Sequence, residues 1–164
     1  MKRFLLVLLI VFLGGTLFAF PPYSSLCVYL KDIDGWNASE CDGMNLKSST
    51  EEMVSVSKTY SRGVKSVNVT IVGGTNASSY WAPFQSYFQL DTPKEMIKTL
   101  SAKGFNIGII YYKKERSGSI IVPVAKKAPD IVNGVLMFNF SNMDWKEALE
   151  FSKEFDWEKI KEAF

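Results

Sequence analysis

Residues 54–71, VSVSKTYSRGVKSVNVTI, decide the fold class of this chain. Apolar residues occupy alternate positions on both sides of a turn at residues 61–63: Val54, Val56, Tyr60, Val67, Val69 and Ile71. Such a period of two places the apolar side chains on one face of a half-buried strand, although Lys58 interrupts that face. The stretch therefore predicts two antiparallel strands joined as a β-hairpin.

Outside this hairpin, the same patterns predict three more strands, four helices and one short element that fits either type. The strands are predicted at residues 105–112, 119–124 and 135–140, and residues 24–30 fit either a short helix or a strand. Helices are predicted at residues 80–90, from Thr92 to Gly104, at residues 144–155, and from a break near Asp156 to Phe164. Thr92-Pro93-Lys94-Glu95 has the layout of a helix-capping box, with Met96, Ile97 and Leu100 behind it on one face.

These elements predict one α+β domain over residues 20–164. Hairpins favour antiparallel pairing, and amphipathic helices must cover a sheet face. The expected architecture is a single antiparallel sheet of about five strands with helices packed on it. No internal repeat and no domain boundary is visible in the sequence.

The N-terminus has the layout of a secretory signal peptide over residues 1–19. Lys2 and Arg3 precede ten apolar residues, 4–13, and small Ala19 follows a Gly-Gly break. The alternative is an uncleaved membrane anchor, because residues 4–20 carry no charge. We expect an exported protein, periplasmic or extracellular, that touches a membrane only through this segment if the segment is kept.

Two cysteines, Cys27 and Cys41, remain in the mature chain. An even number of cysteines in an exported protein predicts one disulfide bond, here closing a loop of about 15 residues. Two free thiols in a reducing compartment are the alternative. A zinc site is not expected, because the chain has no histidine to complete the ligand set.

Composition excludes several function classes. The absence of histidine removes Ser-His-Asp and Cys-His catalysis. Lys2 and Arg3 are two of the 19 basic residues, so the mature chain carries 17 basic and 17 acidic side chains. A neutral chain is a poor nucleic-acid binder. We expect no enzyme activity, no catalytic residues, no cofactor, no metal and no nucleic-acid partner.

Five aromatic residues lie within residues 80–88: Tyr80, Trp81, Phe84, Tyr87 and Phe88. On a helix they would fall within an arc of about 120°. The stripe is either the buried face of that helix or a binding surface, for which Tyr80, Trp81 and Tyr87 are the candidate residues. Phe84, near the middle of the arc, is expected in the core.

Other charged groups are weaker candidates. Asp32-x-Asp34-Gly35 lacks the remaining ligands of a calcium loop and is typical of a solvated turn. Glu51 and Glu52 form the other close acidic pair before the C-terminal helices. Residues 94–127 are basic and residues 144–164 acidic, an asymmetry that can orient a charged partner or simply mark solvated surfaces.

The layout resembles the PsbP-like fold. The likeness is carried by Asp34-Gly35-Trp36, by the hairpin from Tyr60 to Val67, and above all by residues 132–157, where Val132-Asn133-Gly134 precedes a strand and a helix. The resemblance implies a non-enzymatic accessory or assembly protein. It transfers no ligand residue, because no functional motif matches position by position.

Three functions follow as hypotheses. The first is an exported domain that binds, or helps assemble, another envelope protein. The second is a binder of a small apolar molecule or lipid, with helix 80–88 as one wall of its pocket. The third is a hydrolase that uses carboxylates alone, disfavoured because no acid pair stands out.

Overall fold

The computed structural model describes residues 20–86, 88–128 and 131–164, and the signal-peptide prediction for residues 1–19 lies outside them. Within these residues the chain forms nine strands. They are β1 (Asn37–Ala38), β2 (Asp42–Lys47), β3 (Glu52–Arg62), β4 (Lys65–Gly74), β5 (Leu90–Asp91), β6 (Glu95–Ala102), β7 (Phe105–Tyr112), β8 (Ser117–Ala128) and β9 (Ile131–Ser141).

The described helices are short. They are α1 (Tyr23–Cys27), α2 (Ala77–Trp81), α3 (Trp145–Lys153) and α4 (Trp157–Glu162), and a 3₁₀ turn at Ala82–Phe84 follows α2 directly. None of the helices in the described part of the chain has the length and apolar character needed to cross a membrane.

The predicted α+β class with about five strands is wrong. The chain is mostly β, with 49% strand against 20% helix, and all nine strands belong to one antiparallel sheet. The five predicted strands are present as β3, β4, β7, β8 and β9. The four strands that the sequence does not predict are the short strands β1, β2 and β5, and β6, whose sequence pattern predicts a helix.

The sheet order is β1-β3-β4-β9-β8-β7-β6-β5. Strand β2 pairs with the first half of β3, along the same edge at which β1 pairs with its last residues. Strands β6 to β9 follow one another as a meander, and the hairpin β3–β4 joins it because β4 pairs with β9 along eight positions. Gly63 has a φ of 60° in the two-residue turn of the hairpin, between the paired residues Arg62 and Lys65. That left-handed conformation suits glycine.

Helices α1, α3 and α4 cover one face of the sheet, here called the inner face. Tyr60, Phe138, Phe155 and Trp157 are fully buried there, and the Tyr60 ring lies 5.5 Å from that of Phe151. Lys58, which interrupts the apolar face of β3, is accommodated because its Nζ donates to Asp32 Oδ1 at 2.6 Å. The opposite, outer face holds a smaller apolar cluster beneath α2 and the 3₁₀ turn.

The two C-terminal helices form where the sequence predicts them, with the break near Asp156, although each ends two residues before its predicted end. Asp144 caps α3 by accepting from the Lys146 N–H at 2.8 Å, and Asp156 caps α4 by accepting from the Lys159 N–H at 3.1 Å. The break between them lets Trp157 turn into the core, where its Nε1 donates to the Ser152 carbonyl at 2.8 Å.

Two predicted helices are wrong. Residues 95–102 form β6, and the Thr92 hydroxyl instead accepts from the Lys94 and Glu95 N–H groups in the turn that leads into the strand. Residues 80–90 do not form one helix, because α2 ends at Trp81 and Pro83 lies in the 3₁₀ turn. Proline lacks the N–H that an α-helix needs beyond its first turn.

Candidate ligand-binding cleft

The pairing of β7 with β8 stops before either strand ends. Paired positions run from Tyr112–Ser117 to Gly108–Ile121, although β7 begins at Phe105 and β8 continues to Ala128. The space beside these unpaired ends forms a cleft with a volume of about 1100 Å³, here called the β7–β8 cleft.

Pro123 explains why the ladder stops. The β6–β7 turn consists of Lys103 (φ 49°) and Gly104 (φ 81°), a type I′ geometry that makes Ala102 and Phe105 a hydrogen-bonded pair. Backbone groups then alternate along β7, so the N–H and C=O of Asn106 point toward β8. By the register, Asn106 falls opposite Pro123, which has no N–H to give.

The other end of β7 shows the same alternation. The Lys113 N–H donates to the Lys94 carbonyl at 2.8 Å, so odd-numbered positions of this segment face β6. Pro123 nevertheless keeps its place beside Val135 of β9, because its nitrogen is directed toward β7. The β8–β9 register shifts just after Pro123, as expected of a β-bulge.

Aromatic side chains line the cleft on both faces of the sheet. On the outer face the rings of Trp81 and Phe84 lie 5.3 Å apart. On the inner face Phe105 and Phe164 line it, together with Lys161, whose Nζ lies 5.6 Å from the centre of the Phe105 ring and 3.0 Å from Glu158 Oε2.

Asn133 contributes an unpartnered acceptor. Among the described residues, its Oδ1 is the buried side-chain oxygen or nitrogen that has no hydrogen-bond partner. Asn133 lines the cleft. An unsatisfied buried polar atom costs roughly 1–3 kcal/mol, so a ligand that donates to it recovers that free energy on binding.

The structure does not place the five aromatic residues of segment 80–88 on one surface. Trp81 lines the cleft, whereas Tyr80 is 43% exposed and lies outside it. Phe84 is buried, as expected, and Tyr87 lies outside the described residues. The proposed helical stripe does not form, because the helix ends at Trp81 and Phe88 follows in an exposed position.

The sequence reasoning missed Pro123, Asn106 and Asn133. Pro123 was the available signal, because proline inside an otherwise apolar strand pattern indicates an edge or a bulge. From the sequence, Asn133 is part only of the Val132-Asn133-Gly134 stretch that carries the PsbP-like resemblance. Nothing in the local sequence indicated that its side chain would be buried beside a gap in the sheet.

The other sequence candidates have structural explanations. Asp32 forms a salt bridge with Lys58, and Gly35 adopts a left-handed backbone conformation in the turn, with a φ of 77°. In the part of the chain that the structure describes, no three Cys, Asp or Glu side chains are placed to hold a metal ion. Cys27 and Cys41 form a disulfide that links the end of α1 to the start of β2, away from the cleft.

Comparison of the chain with protein-family models, with curated proteins and with solved structures finds no match. The resemblance to PsbP-like domains therefore stays a prediction, and the cleft must be interpreted from its own chemistry.

Proposed function

We propose that this chain is an exported, non-enzymatic binding domain and that the β7–β8 cleft binds another component of the cell envelope. The signal-peptide layout and the Cys27–Cys41 disulfide support export. An accessory role also agrees with what the PsbP-like resemblance implies.

The observation that carries the proposal is the buried Asn133 Oδ1 in an open cleft lined by aromatic rings. Aromatic side chains supply contact area with little loss of conformational entropy, and one acceptor fixes the orientation of what binds. Glu158 is the carboxylate that lines the cleft in the described chain, and it is already paired with Lys161. Carboxylate-based glycoside hydrolysis uses two such groups, so binding fits the cleft better than hydrolysis.

A small amphipathic molecule is the second candidate for the ligand, because the half-buried Trp81 ring, 5.3 Å from the buried ring of Phe84, gives the cleft an apolar wall. A lipid fits less well, since the cleft is open to solvent and amides and hydroxyls share its lining with the apolar residues.

Site-specific photo-crosslinking in the native host tests the proposal. A benzophenone amino acid replaces Ser101, an exposed residue that lines the cleft, and in a matched control it replaces Met44, which is 51% exposed on β2. We expect a discrete adduct from position 101 and none from position 44, with the adduct mass separating a protein from a small molecule. Equal labelling at both positions, or none at position 101, would contradict the proposal.

A further inference from the structure

We infer that the ligand of the β7–β8 cleft is an uncharged saccharide, which stacks on the Trp81 ring and forms hydrogen bonds with polar side chains on the outer face of β6 and β7. This inference rests on the proposed function, and it specifies the class of ligand.

Polar side chains cover the outer face of β6 and β7 where the two strands border the cleft. Ile97 and Ile110 pack in the outer cluster, so odd-numbered positions of β6 and even-numbered positions of β7 face outward. At the cleft these positions hold Thr99, Ser101 and Asn106, here called the polar strip. Within the described chain their hydroxyl and amide groups have no hydrogen-bond partner, so they are open to a ligand.

The Trp81 ring lies beside the polar strip. Gly108 is directly opposite Thr99 in the β6–β7 ladder, and the Phe84 ring covers Gly108. The Trp81 ring lies 5.3 Å from that of Phe84 and is half-buried, so part of it faces the cleft. The outer side of the cleft therefore presents an aromatic surface next to a row of hydrogen-bonding groups.

A saccharide is amphipathic in the way that this surface requires. A pyranose ring carries C–H groups on its faces and hydroxyls on its rim, and each hydroxyl both donates and accepts hydrogen bonds. Its C–H face can cover the Trp81 ring while its rim reaches Thr99 and Asn106. Asn133 also lines the cleft, and a further hydroxyl can donate to its unpartnered Oδ1.

The charged residues of the cleft favour an uncharged ligand. In the part of the chain that the structure describes, they are Lys126, Glu158 and Lys161. Lys161 pairs with Glu158 at 3.0 Å, and Lys126 already interacts within the chain. An anionic ligand would have to compete for these cations, whereas the hydroxyls of a neutral sugar need no opposite charge.

The test starts from defined probes. The mature domain is screened against an array of short oligomers of glucose, galactose, mannose and N-acetylglucosamine, and the strongest binder is titrated by calorimetry. We expect Asn106→Ala to weaken binding by about fivefold, the effect of one hydrogen bond between uncharged groups. Asn139→Ala is the matched control, because Asn139 is an exposed residue of the same sheet outside the cleft.

Trp81 is tested with the same sugar. Trp81→Ala should weaken binding by about tenfold because the stacking surface is lost, and Trp81→Phe should restore most of the affinity because it keeps a ring. Tyr80→Ala is the control, since Tyr80 is 43% exposed and lies outside the cleft.

NMR of the wild-type protein remains decisive if Trp81→Ala does not fold. The ring current of a stacked indole should shift the C–H protons of one sugar unit upfield. The amide resonances of the polar strip should move on titration, whereas that of Asn139 should stay in place.

Several outcomes overturn the inference. They are failure of every sugar on the array to bind, equal affinities of Asn106→Ala and Asn139→Ala, and a bound sugar whose C–H protons do not shift. A crosslink from position 101 to a protein or a lipid also rejects the saccharide, yet it leaves the cleft as a binding site. The absence of any adduct from position 101 contradicts the proposed function itself, so the two failures are distinguishable.

Discussion

Phe84 packs into the space left by the missing side chain of Gly108. A Cβ placed on Gly108 would lie 2.4 Å from the Phe84 ring, far inside contact distance, and Phe84 itself is 2% exposed. This packing fixes the 3₁₀ turn on the sheet and so positions Trp81 at the cleft. We expect Phe84→Ala to lower the free energy of unfolding by roughly 3–5 kcal/mol, the usual cost of truncating a buried aromatic side chain.

Urea denaturation measures this effect, and Phe88→Ala is the matched control. Phe88 is 49% exposed, so its loss should change stability by less than about 0.5 kcal/mol. Equal effects of the two substitutions would show that the 3₁₀ turn does not anchor on the sheet as described.

Tyr60 makes the stability of the fold sensitive to alkaline pH. Burial, and secondarily the nearby charge of Asp32, raises the pKa of this phenol well above its ordinary value, and its hydroxyl donates to the Lys31 carbonyl at 2.8 Å. Above about pH 10 an unfolded tyrosine loses its proton while folded Tyr60 keeps it. The unfolded state then binds fewer protons, so the free energy of unfolding falls as the pH rises.

Tyr60→Phe should flatten this alkaline decline. At neutral pH the variant should be less stable by about 1 kcal/mol, because it loses the hydrogen bond to Lys31. Urea denaturation at several pH values between 7 and 11 measures both changes. The same decline in the variant as in the wild type would exclude Tyr60 as its source.

At the scale of elements, the sequence pattern predicts correctly those strands in which apolar and polar residues clearly alternate. It fails where the same residues fit both a helix and a strand. Met96, Ile97 and Leu100 share one helical face, yet in β6 Met96 and Leu100 face the core and Ile97 faces outward. Thr92 can satisfy N–H groups at a helix start or in a turn, and here it does the latter. Only the pairing of β6 with β7, which is a tertiary interaction, decides between them.

The cleft itself depends on one residue of β8. We expect Pro123→Val to extend the β7–β8 ladder by one hydrogen-bonded pair, because residue 123 would then donate to Asn106. The amide at residue 123 should exchange slowly with solvent in the variant, because the Asn106 carbonyl accepts its hydrogen bond. Hydrogen exchange followed by NMR is the appropriate measurement, since the change in total stability combines a new bond with a more flexible unfolded chain.

Pro93→Val is the control for this substitution. Pro93 is exposed in the turn between β5 and β6, so its replacement changes the unfolded chain in the same way without touching the cleft. If the amide at residue 123 of the variant exchanges as fast as an exposed amide, β7 and β8 lie too far apart to pair there and Pro123 does not end the ladder.

At the scale of the whole molecule, the sequence could predict local hairpins but not the pairing that joins them. Strands β4 and β9 pair although about sixty residues separate them, and the sequence pattern of neither strand identifies its partner. The position of the cleft could not be predicted from the sequence for the same reason. Asn106, Pro123 and Asn133 come together only because β7, β8 and β9 are neighbours in the sheet.

The Cys27–Cys41 disulfide stabilises the whole fold without lining the cleft. It closes a short loop, with a sequence separation of 14, and so restricts the unfolded chain between α1 and β2. A loop of this length contributes roughly 3 kcal/mol in the chain-entropy model. The packing of Leu26 and Leu30, both buried in the core, holds the same segment independently, so the chain should still fold without the bond.

We therefore expect the double substitution Cys27→Ala and Cys41→Ala to lower the free energy of unfolding by about 3 kcal/mol while leaving crosslinking from position 101 unchanged. Denaturation of the variant and of the oxidised wild type gives the first quantity, and the crosslinking yield gives the second. Non-reducing peptide mapping of the natively isolated protein should show one linked pair. Two freely alkylated thiols in that sample would exclude the stabilising role, because a bond that does not form in the native compartment cannot restrict the unfolded chain there. The same result would also remove the principal structural support for export.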